Sequence, residues 1–186
     1  MKLEMKIFVA SYILLIVTMF VLPFFSAEEY SIVKHTTSQL GAQKTPNSCI
    51  MNIIFASMGI TSIWAGWVHY EGFWFQRILL LIFGISLILV AIYNHAPITE
   101  GLTFSEKSDK LHSLFASTTG FSFTILAIST AFIKEEKPEM ILPLAIAVLA
   151  IILSLLIFKV EGFMGIWQRL MFISTFGWMI YEFKSK

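Results

Sequence analysis

Long uncharged apolar runs recur through this chain, separated by short polar links, and nothing else constrains its folding as strongly. Residues 7–27, 49–68, 78–93, 111–133 and 140–158 contain no Asp, Glu, Lys or Arg. Each approaches the roughly 20 residues that a helix needs to cross the hydrocarbon core. Backbone groups in lipid must be satisfied within the segment, and these runs are too long and too aliphatic for barrel strands, so helices are expected. A sixth run, residues 170–181, is too short to span unaided. If that helix begins near Phe163, Arg169 falls inside it and must snorkel or pair. The expected fold is therefore an all-α, polytopic membrane bundle of six transmembrane helices in one domain, residues 1–186. Five spans plus an interfacial helix is the fallback.

The first run follows Lys2 and Lys6 and ends in Ser26-Ala27, which resembles a signal peptide. Its length, and Phe25 where a small residue is wanted, favour a retained spanning helix. Trp64, Trp67, His69 and Tyr70 close the second run as an interfacial aromatic belt. Lys2 and Lys6 at the start and Lys184-Ser185-Lys186 at the end put both termini in the cytoplasm. With 57% hydrophobic and 13% charged residues and a net charge of +1, the partner to expect is the bilayer. No Lys- or Arg-rich run suggests nucleic acid. The single Cys49 excludes an internal disulfide and a cysteine-based zinc cluster, and reads as a small buried hydrophobe.

The polar stretch 28–48, between the first two runs, is where chemistry is expected. Loops one, three and five share a membrane side whichever way the chain inserts, which gathers His35, His95 and His112 on one face and leaves His69 on the other. Ser31, Ser38, Glu100, Asp109, Glu161 and Arg169 belong to the same face. Ser31 and His35 are four apart, and Asp109 and His112 three apart, so each pair shares a face if its segment is helical. Three histidines with Asp109 suit a divalent metal that activates water. Ser38, His35, His112 and Asp109 suit acyl transfer. Ser31, His95 and Arg169 suit a lipid headgroup or another small ligand. Against these stands a packing-only role, with Asp109 or Ser108 capping the fourth helix. Arg169 is expected to pair with Glu161, Asp109 or a lipid phosphate. The long, sparsely charged first loop should fold back so that His35 and Ser38 approach His112 and Asp109, with Gly41 supplying a tight turn or a positive φ. The hydroxyls of the second and fourth helices, and Gly59, Gly66 and Gly120, are expected at helix–helix contacts.

Tyr30-Ser31, His35, Ser38-Gln39-Leu40-Gly41-Ala42 and Pro46-Asn47 resemble the first-loop signature of a bacterial integral-membrane family labelled only as a domain of unknown function, number nine-nine-eight. Asp109-Lys110-Leu111-His112 and Gly165-Ile166-Trp167-Gln168-Arg169-Leu170 resemble its other recurring segments. The resemblance covers nearly the whole chain and implies a six-helix protein of the bacterial plasma membrane. More distantly, the pattern is similar to Frag1/DRAM-type membrane proteins. It is similar too, at greater remove, to ceramidase- and adiponectin-receptor-like hydrolases, but their C-terminal HxxxH is missing here, so their zinc ligands are not carried over. Two functional readings stay open. One is a lipid- or small-ligand-binding module, transporter or accessory subunit. The other is a membrane-embedded, metal-dependent or Ser/His hydrolase acting on lipid at the outer face.

Overall fold

The computed structural model describes residues 1–185; Lys186, the end of the basic tail, lies outside the described residues. Helix α1 (Leu3–Val21) runs into a 3-10 turn, Leu22–Phe25, where Pro23 sits at a first-turn position that needs no N–H. A one-turn helix α2 (Thr37–Leu40) stands in the first loop. Then follow α3 (Ser48–His69), α4 (Trp74–Ile92), α5 (Glu106–Ala131), α6 (Lys137–Lys159), a 3-10 turn at Glu161–Phe163, and α7 (Met164–Lys184).

The all-helical bundle is as the apolar runs require. Five helices are long and apolar enough to cross a membrane: Leu3–Phe25, Ser48–His69, Trp74–Ile92, Glu106–Ala131 and Lys137–Lys159. The sixth long helix, α7, has 21 residues but carries Arg169 and Glu182 near its two ends. The helices close into a ring in which α3, α4, α5, α6 and α7 pack in sequence and α1 joins α3 to α7. Phe8, Leu15, Met19, Met51, Met58, Leu80, Leu126 and Met179 fill the interior. Ile53, Ile60, Ile78, Val148, Leu155 and Phe158 face outward. In water so much exposed apolar surface would be a liability, whereas in lipid it is the solvated face.

Glycine sets the closest helix approach. A Cβ on Gly59 would lie 2.5 Å from Gly84 O, and one on Gly84 would lie 2.7 Å from Gly59 O, so α3 and α4 touch backbone to backbone there. Gly66 makes room for Leu80 and Phe183, but Gly120 faces open space, so only two of the three expected glycines serve packing. The hydroxyls also depart from expectation. Thr61, Ser117, Thr118, Thr119, Ser122 and Thr124 donate to carbonyls one turn back on their own helices rather than across interfaces. Cys49 is exposed rather than buried, because α3 turns Met51, Ile54, Phe55 and Met58 inward and leaves Cys49, Ile50 and Ile53 outside. Tyr70 leaves the aromatic belt for the core, where its hydroxyl meets Thr130 Oγ1 at 2.8 Å.

Candidate functional site

The first loop is a folded cap. Thr36 Oγ1 accepts from Gln39 N, and Gln39 Oε1 accepts from Thr36 N at 2.8 Å, a reciprocal capping box that nucleates α2. Thr36, Thr37, Ser38, Leu40, Ala42 and Thr45 are buried beneath it. The left-handed residues of the loop are Lys44 (φ 57°) and Asn47 (φ 58°). Gly41 has φ −91°, and it is needed for another reason. Its carbonyl accepts from Asn52 Nδ2 at 3.1 Å, and a Cβ there would collide with the Asn52 side chain.

The cap is clamped by the start of α7. Gly165 N donates to Val33 O at 3.0 Å, and a Cβ on Gly165 would strike Ile32 O and His35 O. Gln168 Oε1 accepts from Thr37 N (2.7 Å) and Thr37 Oγ1 (2.6 Å), while its Nε2 donates to Ser38 Oγ at 3.4 Å. Arg169 is 2% exposed. Its Nε and Nη2 donate to Met19 O, its Nη1 to Ile32 O, His35 O and Gly165 O, and its Nη2 also to the Tyr30 hydroxyl. The expected carboxylate or phosphate partner is thereby replaced by a cage of carbonyls. Glu161 sits in the exposed turn before α7, and Asp109 is engaged elsewhere. Carbonyl dipoles satisfy all three guanidinium nitrogens, as a buried cation requires.

A second group forms at the α4–α5 connection. His95 Nδ1 lies 2.9 Å from Asp109 Oδ1, although the two are not aligned for a hydrogen bond. Ala96 N donates to the same carboxylate oxygen at 2.7 Å. His112 is buried, and its Nδ1 lies 2.8 Å from Tyr93 O and 3.3 Å from Val90 O at the end of α4. Both are acceptors, so Nδ1 carries the proton and Nε2 the lone pair. The His95 and His112 ring centroids are 5.2 Å apart. The cap of α5 is Ser105, whose side chain accepts from Ser108 N, and not Asp109 or Ser108 as the sequence suggested. Asp109, one turn in, is left to hold His95.

The structure thus divides the candidates between two groups. Ser31, Ser38, His35 and Arg169 belong to the clamp; His95, Asp109 and His112 belong to the α4–α5 connection. Instead of approaching His112, His35 accepts from Ser31 N through Nδ1 at 2.9 Å and packs on Tyr30, with ring centroids 5.5 Å apart. Among the described residues, no three His, Cys, Asp or Glu side chains are grouped to hold a metal by themselves. The two groups are tied through Gln43. Its backbone N donates to His95 O, its Nε2 to Asn94 O and Ser105 O, and its Oε1 accepts from Ser105 N.

Because His35 Nδ1 is an acceptor, the ring is neutral in the clamp. Burial pushes its pKa below the ordinary value, Lys34 pushes the same way and Glu29 opposes. Burial likewise raises the Tyr30 phenol, against the pull of Arg169. With the folded pKa of His35 depressed, the unfolded chain binds more protons in the window between the two values. The stabilisation is therefore complete above about pH 6.5 and is lost as pH falls from there through the folded value. Protection factors of the amides from Ser31 to Gln39, with the intrinsic pH dependence of exchange divided out, should fall on acidification from about pH 7 to about pH 5. His35→Gln, which retains an acceptor, should flatten that response; an unchanged acid response in the variant would remove His35 from the account.

At the opposite end, a group that the apolar runs did not reveal joins α3, α7 and the α5–α6 connection. Glu182 Oε1 of α7 lies 2.7 Å from Lys134 Nζ, after α5, and 3.4 Å from His69 Nε2 at the end of α3. Glu182 and His69 are buried. Nearby, the Arg77 guanidinium lies over Trp67 and Trp74, at 4.8 and 5.4 Å from the ring centroids. A carboxylate closing an apolar run was the available signal for Glu182. Gln168 lay in a segment that resembles the family but no spacing set it apart there, and Gln43 carried no signal at all.

The family model described as "Protein of unknown function (DUF998)" matches residues 8–181. No match was found among curated proteins or among solved structures.

Proposed function

The chain belongs to the DUF998 family, and from that premise we propose that it is a six-span binding module of the bacterial plasma membrane, with both termini cytoplasmic. It recognises an anionic lipid headgroup, or a small ligand of like chemistry, at the capped end. One observation carries this reading. The polar groups of the clamp are engaged in holding the first loop, while His95 and Asp109 stay about a third exposed at the rim. Lys44 and Lys107 are exposed on the same rim as cations for such a headgroup, whereas Lys110 lies 3.6 Å from Glu106 Oε2 and is balanced by it. Covalent hydrolysis has less support. Ser38 Oγ faces the Gln168 amide, and Ser31 Oγ accepts from Lys34 N while the neighbouring His35 Nδ1 is occupied by Ser31 N, so that nitrogen is not available as base to the Ser31 hydroxyl.

The test is lipid retention by purified protein, read by native mass spectrometry after exchange into phosphatidylglycerol or phosphatidylcholine. Wild type should retain phosphatidylglycerol preferentially, and His95→Gln or Asp109→Asn should lose that preference while Glu161→Gln keeps it. Equal retention of both lipids by wild type would refute the reading. In a Cys49→Ser background, labelling of Ser185→Cys from outside intact cells would overturn the orientation.

A further inference from the structure

We infer that His95 and His112 form a two-histidine site for a divalent transition metal, with Asp109 as its positioning residue. This does not rest on the headgroup reading. Three observations converge on it. A metal-ligating histidine almost always has its second ring nitrogen fixed by a carboxylate or a backbone carbonyl, which sets the tautomer and leaves the other nitrogen to the ion. His112 meets that condition, and His95 has the carboxylate within reach: its Nδ1 lies 2.9 Å from Asp109 Oδ1, though not aligned for a hydrogen bond, and Asp109 is itself fixed by Ala96 N. His112 Nδ1 is held by the carbonyls of Tyr93 and Val90. His112 Nε2 is then the nitrogen that carries the lone pair, and a proton on His95 Nδ1, facing Asp109, leaves His95 Nε2 free in the same way.

The second observation is the ring spacing. Two imidazoles bound to one tetrahedral ion at roughly 2.0–2.1 Å per metal–nitrogen bond put their centroids about 5 Å apart. The rings here are 5.2 Å apart and inclined at 51°. The third is rigidity. His112 rises from the first two turns of α5, and Gln43 fixes the His95 backbone by accepting no freedom at its carbonyl, which takes the Gln43 N–H at 2.9 Å. Because no third protein side chain of the usual kind joins the group among the described residues, the remaining positions fall to water or to a ligand oxygen. Neutral imidazole pairs favour zinc, copper or nickel over magnesium and calcium.

The experiment uses full-length protein, purified on a histidine-free tag and stripped with chelator, and titrates Zn²⁺ and Cu²⁺ alone. Wild type should take up one ion per chain, and bound Cu²⁺ should show hyperfine coupling to two imidazole nitrogens in electron paramagnetic resonance. Loss of either histidine as Gln should weaken uptake at least tenfold, and Asp109→Asn should weaken it by about 10- to 100-fold. His35→Gln should leave it unchanged. Uptake of no ion by wild type, the absence of two-nitrogen coupling, or equal uptake by His95→Gln would each overturn the site. The spectroscopic readout needs no variant, so a misfolded substitution cannot mask the answer. Lipid selectivity without metal uptake would end this inference and spare the headgroup reading; metal uptake without selectivity would do the reverse.

Discussion

Arg169→Ala should lower the stability of the folded protein by about 4 kcal/mol, the cost typical of breaking a buried charged network. The side chain makes six hydrogen bonds to five oxygens drawn from α1, the first loop and α7 itself. Alanine would leave Met19 O, Ile32 O and His35 O without this donor in a region closed to water, and unmade buried bonds cost more than made ones contribute. Arg169→Lys should fall between alanine and wild type, since an ammonium keeps the charge but cannot reproduce the planar fork. Thermal unfolding in detergent reads the series, and proteolysis within residues 26–47 reads the cap separately. An alanine variant that melts with wild type and keeps an intact loop would remove Arg169 as the clamp.

Glu182→Ala should cost about 3 kcal/mol, somewhat less because Lys134, still partly exposed, is able to turn toward water. The carboxylate receives His69 from the end of α3 and Lys134 from the α5–α6 connection, so its loss unties the end of the bundle opposite the cap. Glu182→Gln should retain part of the stability through its amide oxygen. A double-mutant cycle with Lys134→Met isolates the pair and should return a coupling of about 1–2 kcal/mol. A coupling of zero would mean that the two groups contribute independently.

What could be read from the sequence follows from where the chemistry lies. Helix placement was legible because lipid demands uninterrupted apolar length, and that demand is written residue by residue. That Arg169 needed a partner was legible too, since a cation in an apolar helix is costly. Who that partner is was not. Backbone carbonyls belong to every residue, so Met19, Ile32 and His35 give no sign that they will receive a guanidinium. The search for a carboxylate therefore led to Glu161 and Asp109, and neither is involved. Loop parity put His35, His95 and His112 on one side correctly, but a side is an area and a site is a point. The 3.3 Å spacing of His112 Nδ1 from Val90 O and the contact of Gly165 with the Ile32 carbonyl depend on helix rotation, which an apolar pattern on a lipid-exposed helix specifies poorly.

The carbonyl cage around Arg169 also imposes an order on biosynthesis. Helix α7 is made after the elements that cage its cation, and such a cation would cost about 2.5–3.5 kcal/mol at the centre of a bilayer. The groups that relieve a cost of that kind leave the ribosome earlier: the end of α1 and the turn around Ile32 and His35. The receptor for Arg169 is therefore synthesised before Arg169 itself, and α7 has a site to dock into from the moment it emerges.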